Sequence, residues 1–359
     1  MTTPLPIFLA VPPGLEPALA DEVTQAGLGP ALQVPGGVEI MGDWSTVARA
    51  NRDLRGPTRV LVRIAEFRAF HLAQLDKRAR KLDWSVLDAA VPVSVETVTR
   101  KSKIYHAGAA TQRIEGALQA AGLTVSAEAP IALKVRIFDD LVQVSVDTSG
   151  EGLHKRGHKE WVGKAPLRET MAALLLRMAG YDGAMPVVDP MCGSGTFVLE
   201  AAEWAAGLAP GRSRDFAFRH LGVEVPEEDA TAPQETKPMF HGYDRDAGAI
   251  RGAKANAERA GIDGIAQFTN QPLSELHAPD GPPGLLICNP PYGARIGNRK
   301  PLFALYSTLG EVARTRFSGW RIALVTSDGG LAKATGLKLT ESAPIAHGGL
   351  RVKLYQAEV

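Results

Sequence analysis

Asn289-Pro290-Pro291-Tyr292 places an amide oxygen, a backbone carbonyl and an aromatic plane within four residues. It follows the apolar run Leu285-Leu286-Ile287-Cys288, which predicts a buried parallel strand. In open α/β sheets ligands bind outside the carboxyl ends of such strands. Proline cannot continue a ladder, so the carbonyl beside it stays available as an acceptor. Two acceptors and a stacking face suit a planar base with an exocyclic amine. Asn-Pro also marks ordinary strand-ending turns, so the motif alone leaves both readings open.

A second motif lies about one hundred residues upstream: Asp189-Pro190-Met191-Cys192-Gly193-Ser194-Gly195-Thr196. The short apolar run Val187-Val188 precedes it and the helical stretch from Phe197 to Ala202 follows. Strand, glycine loop and helix is the way a doubly wound sheet opens a nucleotide site. Gly193 and Gly195 would allow close backbone approach to a ligand. A dehydrogenase fingerprint requires a third glycine where Val198 stands, and an acid directly before the loop would repel a pyrophosphate. Asp189 suits a cationic amino-acid ligand, such as the methionine end of S-adenosylmethionine. Between the two motifs, Asp244 ends a further predicted strand and could accept from both ribose hydroxyls of an adenosine. Asp246 is the reserve for that role, and either residue could equally cap the next helix.

With these motifs in order, the chain resembles the large-subunit (23S) ribosomal RNA guanine-N2 methyltransferases that carry an N-terminal THUMP domain. The resemblance runs over essentially all 359 residues. Its most specific parts are Ser149 to Gly157, Ala165 to Thr170, the loop from Asp189 to Thr196, and Asn289 to Gly293. It implies a class I, Rossmann-like, seven-stranded α/β methyltransferase domain. An α+β ferredoxin-like and THUMP region would precede it. It also implies a short form lacking a second methyltransferase domain.

S-adenosylmethionine is the implied cofactor. Its contacts would come from Asp189, Pro190, Cys192, Gly193, Gly195, Thr196 and Asp244, with Pro166, Glu169, Thr170 and Asn270. The family pattern leads one to expect an Asp near Pro272 to meet the adenine amine, and Asn270 or Gln271 stands there instead. Asn289, Pro290 and Tyr292 would receive the base. RNA contacts are expected from Arg100, Lys101, Lys103, Tyr105, Lys155 and Arg156. The expected partner is 23S ribosomal RNA or an assembling large-subunit precursor, met in the cytoplasm by a monomer. No metal is expected.

The elements that must position these residues divide the chain into four expected parts. These are a ferredoxin-like segment (1–56), a THUMP domain (57–150), a basic joint (151–165) and the methyltransferase domain (166–359). In the first half, strands are predicted at Pro6 to Val11, Gly36 to Ile40, Arg59 to Ala65 and Val93 to Arg100. A hairpin turns about Asp139-Asp140. Helices are predicted at Leu15 to Ala26 and through Ile114 and Leu118, the latter ended by Gly122. In the second half a helix from Pro166 to Met178 presents Leu167, Met171, Leu174, Leu175 and Met178 on one face. Pro-rich Glu224 to Pro238 reads as a surface insertion. A strand from Arg321 and a closing hairpin to Ala357 complete the sheet.

Composition supports an ordinary globular protein, with 45% apolar and 22% charged residues. Net charge is only +1, but its distribution is uneven. Residues 1–48 hold five acids and no Lys or Arg; residues 49–168 hold 21 Lys/Arg against 13 Asp/Glu. A basic middle third is the footprint of a phosphate-binding surface, although a solvated charged face would look the same. Only Cys192 and Cys288 are present, too few for a disulfide framework or a four-cysteine zinc site. No stretch reads as a secretory signal or a membrane span.

Overall fold

Alternation of buried and half-exposed residues builds the first sheet of the computed structural model, which describes residues 4–163, 167–225, 234–236, 239–292 and 300–359. The chain separates into two compact units. One comprises residues 1–11, 20–153 and 214–228, and the other 12–19, 154–213 and 229–359.

The first unit runs β1 (Leu5–Ala10), α1 (Glu16–Gln25), β2 (Leu32–Val34), β3 (Gly37–Gly42), α2 (Trp44–Asp53) and β4 (Arg59–Arg68). It continues with α3 (Leu72–Ala79), β5 (Val93–Arg100), α4 (Ala107–Ala120), β6 (Ile131–Phe138) and β7 (Leu141–Asp147). All seven strands form one sheet in the order β2-β3-β1-β4-β7-β6-β5. The ten-residue β4 is its hinge, pairing antiparallel with β1 on one side and β7 on the other. The segments expected as 1–56 and 57–150 therefore share a sheet. β5 and β6 are parallel, with α4 as the crossover between them. Ile7, Leu9, Val38, Ile40, Val60, Val62, Leu133 and Val144 are all buried at alternate positions, which fixes the register. The β6–β7 turn puts Asp139 and Asp140 at positive φ, as a two-residue hairpin loop demands.

The second unit contains α5 (Glu169–Met178), β8 (Val187–Asp189), α6 (Thr196–Ala205), β9 (Phe240–Asp244), α7 (Ala247–Ala260), β10 (Ala266–Asn270) and β11 (Leu285–Cys288). Then come α8 (Lys300–Arg316), β12 (Arg321–Thr326), α9 (Gly329–Ala334), β13 (Thr340–Glu341), β14 (Ile345–His347) and β15 (Leu350–Glu358). Strand order is β10-β9-β8-β11-β12-β15-β13, with β14 paired to β15. The first five strands are parallel and β15 is antiparallel to β12. The seven strands on this path form the Rossmann-like α/β sheet that the sequence leads one to expect, and β14 adds an eighth. Its order reverses between β8 and β11, the switch point where such sheets open a crevice. Strand β11 is buried throughout, and Tyr306 and Leu309 of α8, with Phe317 just beyond its end, join β11 and β12 in one apolar cluster. The Pro-rich stretch from Glu224 to Pro238 lies largely outside the described residues. Among the described residues, no helix is long and apolar enough to cross a membrane.

Candidate active site

β8 is only three residues long and ends on Asp189, whose side chain is buried. The Asp189 carboxyl accepts from the Met191 backbone N–H at 3.0 Å, which starts the turn. Burial, only partly opposed by that hydrogen bond, pushes its pKa up to about 8, and the Asp244 charge adds to the rise. The loop is then fastened to β9: Cys192 N donates to the Tyr243 carbonyl at 2.9 Å, and Gly193 N donates to Asp244 Oδ2 at 3.0 Å. Gly195 caps α6 at a φ of 83°. Burial holds the thiols of both Cys192 and Cys288 well above their ordinary range, which disfavours the thiolate.

The two loop glycines have different roles. A Cβ on Gly193 would meet nothing within 4 Å, so this glycine faces open space. A Cβ on Gly195 would strike the Phe268 ring at 2.9 Å and approach Ala253 at 3.3 Å. Gly195 thus lets α6 pack closely against β10 and α7.

Asp244 and Asp246 are held differently in the structure. Asp246 caps α7, accepting from Gly248 N at 2.7 Å and Ala249 N at 3.3 Å. Asp244 instead spans the loop, taking Gly193 N on one oxygen and Asp246 N at 2.9 Å on the other. Asn270 ends β10 beside it, its amide nitrogen donating to the Asp244 carbonyl at 2.9 Å. That leaves the Asn270 amide oxygen as the atom able to accept from an adenine amine. Gln271 Nε2 is turned to the Glu275 carbonyl at 2.8 Å.

At the end of the neighbouring β11, Asn289 Oδ1 is buried and has no hydrogen-bond partner among the described residues. A buried carbonyl oxygen left unpaired costs free energy unless a ligand meets it. Pro290 is buried, and Tyr292 packs half-buried against the α8 cluster, which raises its hydroxyl pKa. Gly293 and Pro166, both expected to matter, lie outside the described residues.

The strap from His154 to Gly163 belongs to the second unit and corrects part of the RNA-contact expectation. Arg156 is buried, its guanidinium pairing with both carboxylate oxygens of Glu200 at 2.9 and 3.1 Å. A guanidinium so enclosed has no face for phosphate. His158 meets Glu203 at 2.6 Å, and Arg212 reaches the other Glu203 oxygen at 2.9 Å. Lys159 joins Glu169 and Thr196, each at 2.7 Å. Glu169 and Thr196, expected at the cofactor, therefore hold Lys159; Thr170 is buried beside them. Trp161 lies over Gly252 of α7, where a Cβ would overlap the indole, and Asn256 grips its backbone on both sides. Glu200 and Glu203 escape a motif search. Their signal is two glutamates inside a helix that is otherwise apolar on every side, which demands cationic partners. Lys155 stays exposed, as do Arg100, Lys101, Lys103 and Tyr105 in the first unit.

The second unit thus gathers acceptors: a buried carboxyl at β8, a carboxylate at β9, an amide oxygen at β10 and an orphan amide oxygen at β11. This donor-poor set fits a cationic ligand carrying a ribose and an adenine, as S-adenosylmethionine does, better than a pyrophosphate. Among the described residues, no group of His, Cys, Asp or Glu could hold a metal.

Comparison with known proteins gives the family. The RMKL-like methyltransferase domain matches residues 156–356, and the RlmL ferredoxin-like domain matches residues 6–61. The chain is 36% identical to a ribosomal RNA large subunit methyltransferase K/L of Syntrophotalea carbinolica, across 100% of this chain and 54% of that protein. It thus spans about half the length of that relative. A Synechocystis protein named as an RNA methyltransferase is 31% identical, with 99% and 97% covered. The crystal structure of SMU.472, named as a methyltransferase and complexed with S-adenosylhomocysteine, superposes with a TM-score of 0.87. The two share 26% identity, with 100% and 99% of the chains covered.

Proposed function

Because the chain belongs to the RMKL-like methyltransferase family, we propose that it methylates the exocyclic N2 of a guanine in 23S ribosomal RNA, using S-adenosylmethionine. The observation that carries this reading is the buried Asn289 Oδ1 at the switch-point end of β11, without a hydrogen-bond partner among the described residues. The names of the relatives support RNA as the substrate class, and the ribosomal large subunit as its source. We infer a cytoplasmic monomer acting on ribosomal RNA or on an assembling large-subunit precursor.

When bound, S-adenosylmethionine supplies an electrophilic methyl group on a sulfonium. Asp189 and Asp244 would hold its cationic amino-acid end and its ribose. The guanine amine is a poor nucleophile because its lone pair is delocalised into the ring. Asn289 Oδ1 and the Pro290 carbonyl would each accept one N–H, drawing the nitrogen toward a pyramidal geometry with its lone pair directed at the methyl. An amide does not usefully take a proton, so Asn289 acts by positioning and by stabilising the charge that develops on nitrogen. The Tyr292 ring would stack on the extruded base and replace part of its lost stacking.

Incubating the purified protein with 23S RNA from cells lacking its gene, then mapping nucleosides by mass, tests the reading. N2-methylguanosine in that RNA is the expected product. Methyl transfer to adenine N6, or to tRNA or DNA in place of 23S RNA, would overturn it.

A further inference from the structure

We propose that Asn256 of α7 is a positioning residue for the cofactor: its buried amide joins the strap from His158 to Trp161 to the glycine loop after β8, and holds that loop in the form that receives S-adenosylmethionine. This rests on the cofactor lying at the loop, and it holds whichever base accepts the methyl group.

Loop and strap share a difficulty. Residues 190–195 and 157–163 belong to no helix or strand, so neither segment can fix its backbone by a ladder. Their positions rest on bonds to groups outside them. The loop is tied to β9 through the Tyr243 carbonyl and the Asp244 carboxylate. A second tie runs to α7, where Asn256 Nδ2 donates to the Ser194 carbonyl at 3.2 Å.

The same nitrogen donates to the Trp161 carbonyl at 3.0 Å. Asn256 Oδ1 accepts from the Trp161 N–H at 3.2 Å and from the Arg259 guanidinium. A primary amide carries two N–H donors and two lone pairs on its oxygen, and here every one is engaged. The partners also settle which way the amide faces, since two carbonyls need donors and a backbone N–H needs an acceptor. Aspartate has the same shape but no donor, and would set a charged oxygen against both carbonyls.

On helical grounds asparagine is a poor choice for this position. The buried residues of α7 are otherwise apolar or glycine, among them Ala249, Gly252, Ala253 and Ala257. Asn256 is fully buried with them. Asparagine is a weak helix former, and burying an amide costs free energy unless it is bonded. Its bonds to Trp161 and Ser194 leave the helix, so what it serves lies outside α7.

The consequence falls on one peptide unit. The plane between Ser194 and Gly195 is held at its carbonyl by Asn256, and at its N–H by the Cys192 carbonyl at 2.8 Å. Gly193 and Gly195 flank it at φ of 52° and 83°, a freedom that a loop of this kind must lose to bind. Fixing the loop beforehand lowers the entropy cost of taking the ligand. The strap makes the fixing firm. Arg259 Nε donates to the His158 carbonyl at 2.9 Å, and Lys159 Nζ reaches Thr196 Oγ1 at 2.7 Å. Strap and loop therefore meet on either side of Gly195. By linkage, a strap that readies the loop for the cofactor must itself be steadied by the cofactor to the same extent.

The test is amide hydrogen exchange and calorimetry on the full chain with S-adenosylhomocysteine, the cofactor without its methyl group. In the parent the ligand should slow exchange in residues 158–161 as well as in 190–196. Asn256→Asp and Asn256→Ala, measured well below their melting temperatures, should each bind it about tenfold more weakly. Without ligand, both should exchange faster than the parent at 190–196. Lys254→Gly, a change at an exposed position of the same helix, should lower the melting temperature yet leave affinity within about twofold. A merely structural amide would behave like Lys254. Protection of the loop without the strap in the parent, or Asn256 variants that melt earlier but bind as the parent does, would overturn the proposal. No protection at the loop in the parent would overturn the placement of the cofactor, and the proposal with it.

Discussion

The Asp244 carboxylate accepts a hydrogen bond from the Gly193 backbone N–H at 3.0 Å, joining the end of β9 to the glycine loop after β8. One side chain therefore both shapes the loop and presents a charge to whatever the loop holds. Asp246, two residues on, spends its side chain on the cap of α7. The pair can be separated by measurement. Asp244→Ala should lower S-adenosylmethionine affinity by about tenfold to a hundredfold, the usual loss for hydrogen bonds to a charged group. Asp246→Ala should cost roughly 1 kcal/mol of stability, as a lost cap does, with affinity nearly unchanged. Calorimetry and denaturant unfolding on both variants check the assignment; equal affinity losses would show that the ribose site was placed wrongly.

Asn289→Ala should keep cofactor affinity within about threefold and lower turnover by on the order of 10²–10³, the typical loss of one preorganised acceptor. It also removes a buried oxygen that has no partner among the described residues, so the variant should be no less stable than the parent. Single-turnover kinetics beside thermal unfolding separates these effects. Turnover close to that of the parent would place the acceptor elsewhere.

Much of the scaffold is legible in the residues because each part carries a local signal. β5 falls on Val93–Arg100 as alternation predicts, and α4 stops where Gly122 takes a φ of 85°. α2 starts with a capping box, Asp43 with Thr46, that a sequence reader could equally find. β2 is three residues at a sheet edge, mostly exposed, and carries no periodicity to read. The site divides in the same way. Asp189, Asp244 and Asn289 sit at the ends of apolar strands and announce themselves. Which loop glycine is packed against a neighbour depends on Phe268, some seventy residues downstream, and only the packing reveals it. The basic joint misleads because a run of cations looks alike whether it meets phosphate or buried glutamates.

Arg156 and Glu200 test that last point. Breaking a buried pair by removing one partner strands the other charge and typically costs about 3–5 kcal/mol. Glu200→Ala and Arg156→Ala should each destabilise the second unit on that scale. Arg156→Met with Glu200→Met, which restores an apolar contact, should recover much of the loss. Urea unfolding of the four proteins measures each change. A freely solvated Arg156 would instead give single-variant changes below about 1 kcal/mol.

Asp189 gives the pH dependence. Its folded pKa of about 8 stands well above the ordinary 3.8. Below the ordinary value both folded and unfolded chains hold the proton, and burial of the neutral acid carries no charge penalty. As pH rises toward 8 the unfolded chain has released the proton while the folded chain keeps it, so Asp189 progressively disfavours the folded state. Above 8 the penalty is constant. Without cofactor, Asp189→Asn should therefore be more stable than the parent at neutral and alkaline pH, and nearly equal to it at the acid end. A cationic ligand reverses the balance, because the ionised carboxylate is the form that attracts it. S-adenosylmethionine binding near pH 7 should release a proton from the parent, seen as a binding enthalpy that varies with the ionisation enthalpy of the buffer. The Asn variant should bind more weakly and show no such dependence. Binding to the parent without proton release would mean that Asp189 does not face the cationic end of the ligand.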